Sequence, residues 1–234
     1  MGWIEKGAVL FIGFILLIAS FKKVDAEEIL FQQLPDQRGG ATSGFTLPGS
    51  VSPLIVVADN FGSKQSAQIG RVTWWGGYFN PSGPDNFTLR FYSDTAGKPG
   101  SLLQSYSIGG SAIKISTGEE IFGLNPEFRY STTLSTPLTI QKNDLYWISI
   151  FNDRGPKAWL WESSATTDGI QRSFIDPVEG PWQAAVDNEG RPVIDMAFQL
   201  DAPSPVPLSP TFLFMASALI LLVFLARFQK MGLR

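Results

Sequence analysis

Between Glu27 and Ala202 no stretch keeps a 3.6-residue apolar period for three turns, whereas two-residue alternation recurs. That pattern excludes a helical body and calls for strands packed into sheets. Phe87, Leu89 and Phe91 fall on one face of their segment, with Thr88 and Arg90 on the other. Leu145–Phe151 is apolar on both faces, as expected of a central strand covered twice. Further strands are expected near Leu54–Ala58, Ile69–Trp75, Leu102–Ile108, Ala112–Ser116, Arg129–Leu134, Leu138–Gln141, Ala158–Trp161, Ile170–Phe174 and Val193–Leu200. Turn chemistry separates them at Asn80–Pro84, Asp94–Gly100, Gly109-Gly110, Asp153–Pro156 and Gly180-Pro181. With 23 Gly and 16 Pro in 234 residues, the expectation is an all-β fold: a β-sandwich of ten or so short strands, jelly-roll-like in its connectivity.

Two apolar runs bracket this body. Ala8–Phe21 follows Lys6 and precedes Val24-Asp25-Ala26. A basic start, a short apolar run and a small-x-small site read as a signal peptide over residues 1–26, cleaved before Glu27. Its 14 residues span only ~21 Å as a helix, short of the ~30 Å hydrocarbon core. Lys22 and Lys23 leave an uncleaved anchor as the alternative. After the body, residues 203–210 hold four prolines in eight positions, an extended linker. The uncharged run Thr211–Ala226 comes next, and Arg227, Lys230 and Arg234 make the 227–234 tail basic. This predicts one C-terminal transmembrane helix, the tail in the cytoplasm and residues 27–202 on the exported side. A buried C-terminal helix of a soluble domain is the other reading.

The stub Val206, Pro207, Leu208, Ser209 and Pro210, followed by a short apolar helix and a basic tail, resembles the exosortase sorting signal of the PEP-CTERM family of Gram-negative bacteria. The resemblance implies recognition of that stub by a transpeptidase-like enzyme in the membrane, then release or transfer to the cell surface. A plain membrane anchor is the alternative. Within the body, Gly70–Phe79, Asp85–Tyr92, Gly97–Gly100 and Trp159–Ser164 are together similar to the extracellular β-sandwich of many exosortase-sorted proteins of unassigned function. That second likeness implies a fold and an address, and no activity.

The chain has no Cys and no His, which excludes disulfides, thiol nucleophiles, His-based triads and Cys/His zinc sites. Residues 27–202 carry 12 Lys and Arg against 19 Asp and Glu, a net charge of −7 that argues against nucleic acid as a partner. A glycosidase needs two carboxyl groups about 5 to 10 Å apart. Glu119 and Glu120 face opposite ways on a strand, Asp187 and Glu189 sit in turn chemistry, and Glu162, which could line a groove, reads with the rest as a solvated acid. No catalytic residue and no cofactor are assigned. Calcium is feasible, with Asp94, Asp187, Asn188 and Glu189 as candidate donors, but there is no D-x-D-x-D-G loop.

Exported sandwiches bind glycans by stacking sugars on exposed rings. Six of the seven Trp lie in the body, and a glycan patch is sought first at Trp75, Tyr78, Trp159, Trp161 and Trp182. The alternative is that all six Trp pack the interior. Trp74 and Trp75 are adjacent and point to opposite faces of a strand, whereas Trp159 and Trp161 share a face. The expected role is non-enzymatic: an exported matrix, adhesion or exopolysaccharide-associated protein of the cell envelope. A carboxylate-dependent carbohydrate-active enzyme and a plain membrane-tethered structural protein are the competing readings.

Overall fold

The alternating segments fold as strands in a computed structural model, which describes residues 28–44, 55–79, 83–152, 158–165, 173–175, 182–184 and 195–204. The expected signal segment, the Val206–Pro210 stub, the 211–226 helix, the basic tail and Asp187-Asn188-Glu189 lie outside the described residues. Among the described residues there are thirteen strands and no helix, so none is long and apolar enough to cross a membrane. In chain order they are β1 (Ile29–Gln33), β2 (Pro35–Thr42), β3 (Val56–Gly62), β4 (Ala67–Tyr78), β5 (Phe87–Asp94), β6 (Pro99–Gly109) and β7 (Ile113–Ile121). There follow β8 (Asn125–Ile140), β9 (Leu145–Asn152), β10 (Trp159–Ser164), β11 (Ser173–Ile175), β12 (Gln183–Ala184) and β13 (Phe198–Asp201).

All pairings are antiparallel and make two sheets. In the first, β7 pairs with β8 and β8 with β4. The other edge of β4 is shared. Arg71–Trp74 pair with β13, backed by β1, and Gly76–Tyr78 pair with β10, backed by β2. The second sheet runs β12-β11-β3-β9-β5-β6. One core joins them. Val72, Trp74, Tyr130, Trp159, Trp161 and Phe198 of the first sheet meet Phe61, Phe87, Leu89, Phe91, Ile148 and Ile150 of the second. The Phe87 ring lies 4.8 Å from Tyr130, 5.0 Å from Trp159 and 5.2 Å from Trp74, edge to face in each case, the arrangement that aromatic quadrupoles favour.

The strand read as covered twice is β9, between β3 and β5. Tyr146, Ile148 and Ile150 enter the main core, while Trp147 packs with Ala58 and Tyr92 under Trp182 on the sheet's other face.

Two readings are corrected. Arg129–Leu134 and Leu138–Gln141 form one strand, β8. Its pairing to β4 jumps from Leu138 to Thr133, so Pro137 sits in a bulge where its missing N–H costs no ladder bond. The segment Pro-Asp-Gln-Arg-Gly-Gly-Ala-Thr, which carries no alternation, is strand β2. Gly40 makes that possible: a Cβ there would stand 2.6 Å from the Trp161 carbonyl oxygen, so only glycine lets β2 lie this close to β10.

Candidate functional site

Strand parity builds the site. Val72 and Trp74 of β4 enter the core, so Arg71, Thr73 and Trp75 face the other way. On β8, Tyr130 points inward and Arg129 and Ser131 outward, paired across the ladder with Trp75 and Thr73. On β13, Gln199 and Asp201 stand opposite Thr73 and Arg71. These seven residues line a groove of about 160 Å³ on the outer face of the first sheet. Its polar floor is pre-arranged. Gln32 Nε2 donates to Gln199 Oε1 at 2.6 Å, Gln199 Nε2 donates to Asp201 Oδ1 at 2.6 Å, and Arg71 reaches Ser131 Oγ at 3.4 Å. Among the described residues, Trp75 is the one aromatic side chain in its lining. On the β7 side, Ile113 and Ile115 pair with Ser131 and Arg129 and stay about half exposed, an apolar shoulder.

Further along the same face lies a pair of buried acids. Glu127 of β8 and Glu162 of β10 are 1% and 0% exposed. Strand β2 closes them in. The Gln37 backbone N–H donates to Glu162 Oε1 at 3.0 Å, and Gln37 Nε2 donates to Glu127 Oε2 at 3.2 Å. Gln37 holds a left-handed backbone, φ 59°, and its carbonyl accepts the N–H of Phe122 in the β7–β8 turn. Burial first, then the hydrogen bond and charge of Glu127, pushes the Glu162 carboxyl up to about 9; Asp36 adds to the rise and the Gln37 N–H opposes it. Glu162 Oε2 has no hydrogen-bond partner unless it carries the proton and donates it to Glu127. At neutral pH Glu162 therefore keeps its proton, placed to donate it to Glu127.

Residues 29–201 match a family model described as a domain of unknown function, DUF7901. The chain belongs to the DUF7901 family. No curated protein matches it.

The DUF7901 body does not bring the five expected aromatic residues together. Trp159 and Trp161 are fully buried between the sheets, and Trp161 Nε1 donates to the Ala197 carbonyl at 2.9 Å, so neither ring faces a solute. Tyr78 turns inward at the end of β4, where its hydroxyl meets Asp85 Oδ1 at 2.7 Å and accepts from Asn152 Nδ2. Burial, and then the hydrogen bond to Asp85, hold that phenol far above its ordinary range, as a neutral O–H donor. Lys114 closes the same end of the sandwich, 3.2 Å from Asp85 and 4.4 Å from the centre of the Phe128 ring. Trp182 covers the outer face of the second sheet, its ring 5.4 Å from Tyr92. Of the five, Trp75 alone lines the groove, itself largely buried with 7% of its surface exposed.

Glu162 is corrected too: it is no solvated acid. Leu160, two residues before it on the same face, is apolar and buried, which is the available sign that this face is covered. Glu127 goes unremarked in the sequence because its partner comes from a strand 35 positions away. Asp94, a candidate calcium donor, accepts from Trp147 Nε1 at 2.8 Å and from the Gly97 N–H at 3.2 Å. Among the described residues no three acidic side chains gather to hold a metal ion.

Proposed function

We propose that the chain is an exported, non-enzymatic β-sandwich that binds an exopolysaccharide through the outer face of its first sheet and is held at the cell envelope by its C-terminal segment. The groove carries the binding half of this reading. It sets the exposed edge of one aromatic ring, Trp75, among side chains that both donate and accept hydrogen bonds, which fits a sugar with an apolar patch and hydroxyl edges. Nested pairing, β3 with β9 in one sheet and β4 with β8 in the other, supports a jelly-roll-like connectivity. The address rests on the sequence: a signal segment over 1–26, the Val206–Pro210 stub, an apolar run and a basic tail. The partners are then the membrane and an exosortase-type processing enzyme, and the acidic body argues against nucleic acid.

The carboxylate-dependent enzyme is less well supported. Its best acid pair, Glu127 and Glu162, is sealed and in mutual contact, with no room for a glycosidic oxygen between the two groups. The test is binding of the whole chain, in mild detergent, to a panel of exopolysaccharides. Saturable binding without release of reducing sugar is expected, weakened about tenfold or more by Trp75→Ala with the fold retained by circular dichroism. Turnover that disappears when one acid becomes its amide, with binding indifferent to Trp75→Ala, overturns the proposal.

A further inference from the structure

The charges in the groove do not cancel. Arg71 faces Asp201 across the β4–β13 ladder and also reaches Ser131 Oγ at 3.4 Å. Arg129 is different. It is exposed, and among the described residues it has neither a hydrogen-bond nor an ionic partner. Its cross-strand neighbours are Trp75 on one side and Ile115 on the other, both apolar. Among the described residues the groove thus holds two guanidiniums against one carboxylate, in a body whose net charge is −7. An uncompensated cation flanked by apolar neighbours, inside a negative field, selects for an anion attached to an apolar surface and not for any polyanion.

We infer that the groove takes an acidic polysaccharide, one whose sugars carry carboxylates, with Arg129 gripping the carboxylate and Trp75 against the sugar ring. A planar guanidinium offers two parallel N–H bonds to a carboxylate, which a hydroxyl cannot match. The uronate class is preferred to a sulfated one because a flat carboxylate matches the flat fork of the Arg129 guanidinium, whereas a sulfate is tetrahedral. This inference rests on the reading of the groove as a glycan site.

The experiment measures equilibrium binding of the whole chain, in mild detergent, to polygalacturonate, neutral dextran, dextran sulfate and a single-stranded oligonucleotide. Polygalacturonate is expected to bind and to weaken about tenfold in Arg129→Gln, with partial recovery in Arg129→Lys and an unchanged melting temperature, since the side chain is exposed. Equal binding of dextran, unaffected by Arg129→Gln, overturns the charge assignment and leaves the glycan reading standing. Equal binding of dextran sulfate or the oligonucleotide reduces the site to undirected charge and overturns the inference. If no polysaccharide binds, the inference and the proposed function fall together.

Discussion

Glu162 is the residue whose environment departs furthest from what its side chain would choose. A glutamate held up to about 9 in the fold, against 4.5 ordinarily, binds a proton in the native state that the unfolded chain has released. The sign follows: its contribution is fully present below the ordinary glutamate range and is lost as pH rises through about 9. The slope is about 1.4 kcal/mol per pH unit within that window. Denaturant titrations at pH 5, 7 and 9 should show stability falling in that order. Glu162→Gln supplies a permanent donor to Glu127 and should flatten the trend and raise stability at pH 9. A wild-type curve as flat as that of Glu162→Gln would sink the account of a protonated Glu162. What made one residue legible and the other not is visible here. Trp74 and Trp75 were separable because strand parity is a property of neighbours, and the structure sends one inward and one to the groove. The environment of Glu162 depends on Gln37 and Glu127, which approach only after four strands, β2, β10, β4 and β8, have paired.

The strand that makes the acid pair possible is β2, and nothing in its composition announces a strand. Pro35, Asp36, Gly39 and Gly40 read as turn chemistry, because propensity is a local quantity and the β10 edge that captures this segment is a distant one. Strands with their own alternation, such as β5 and β9, were legible for the opposite reason. Gly40 lies opposite Glu162 in the β2–β10 ladder, with no space for a Cβ in front of the Trp161 carbonyl. Gly40→Ala should therefore push β2 off β10, at a cost of roughly 1–3 kcal/mol. The loss should be local in origin. Amides of β2 and β10 should exchange faster in deuterium oxide, while those of β9, paired on both sides in the other sheet, keep their protection. Uniform loss of protection across both sheets would mean that β2 is integral to the core and not a strap laid over the acid pair.

Glu27–Pro203 forms one compact unit, and with no cysteine in the chain no disulfide holds it together. The class of the body was legible because an aromatic-rich, turn-punctuated sequence of this length has few other ways to bury its apolar faces. The groove was not legible, since Arg71, Trp75, Arg129 and Asp201 meet only through the register of three strands. On the proposed address the termini are transient parts of the molecule, and that has a direct consequence in mass. Protein recovered from the envelope of its native cell should begin at Glu27 and end within or near Val206–Pro210, because a processing enzyme that reads the stub removes the apolar run behind it. An intact mass that begins at Glu27 and runs to Arg234 makes the C-terminal segment a plain anchor and removes the processing enzyme from the list of partners. A mass that begins at Met1, found in the soluble cytosolic fraction, places the body where no exopolysaccharide is met. The groove would then need another occupant, even with every strand pairing described above left intact.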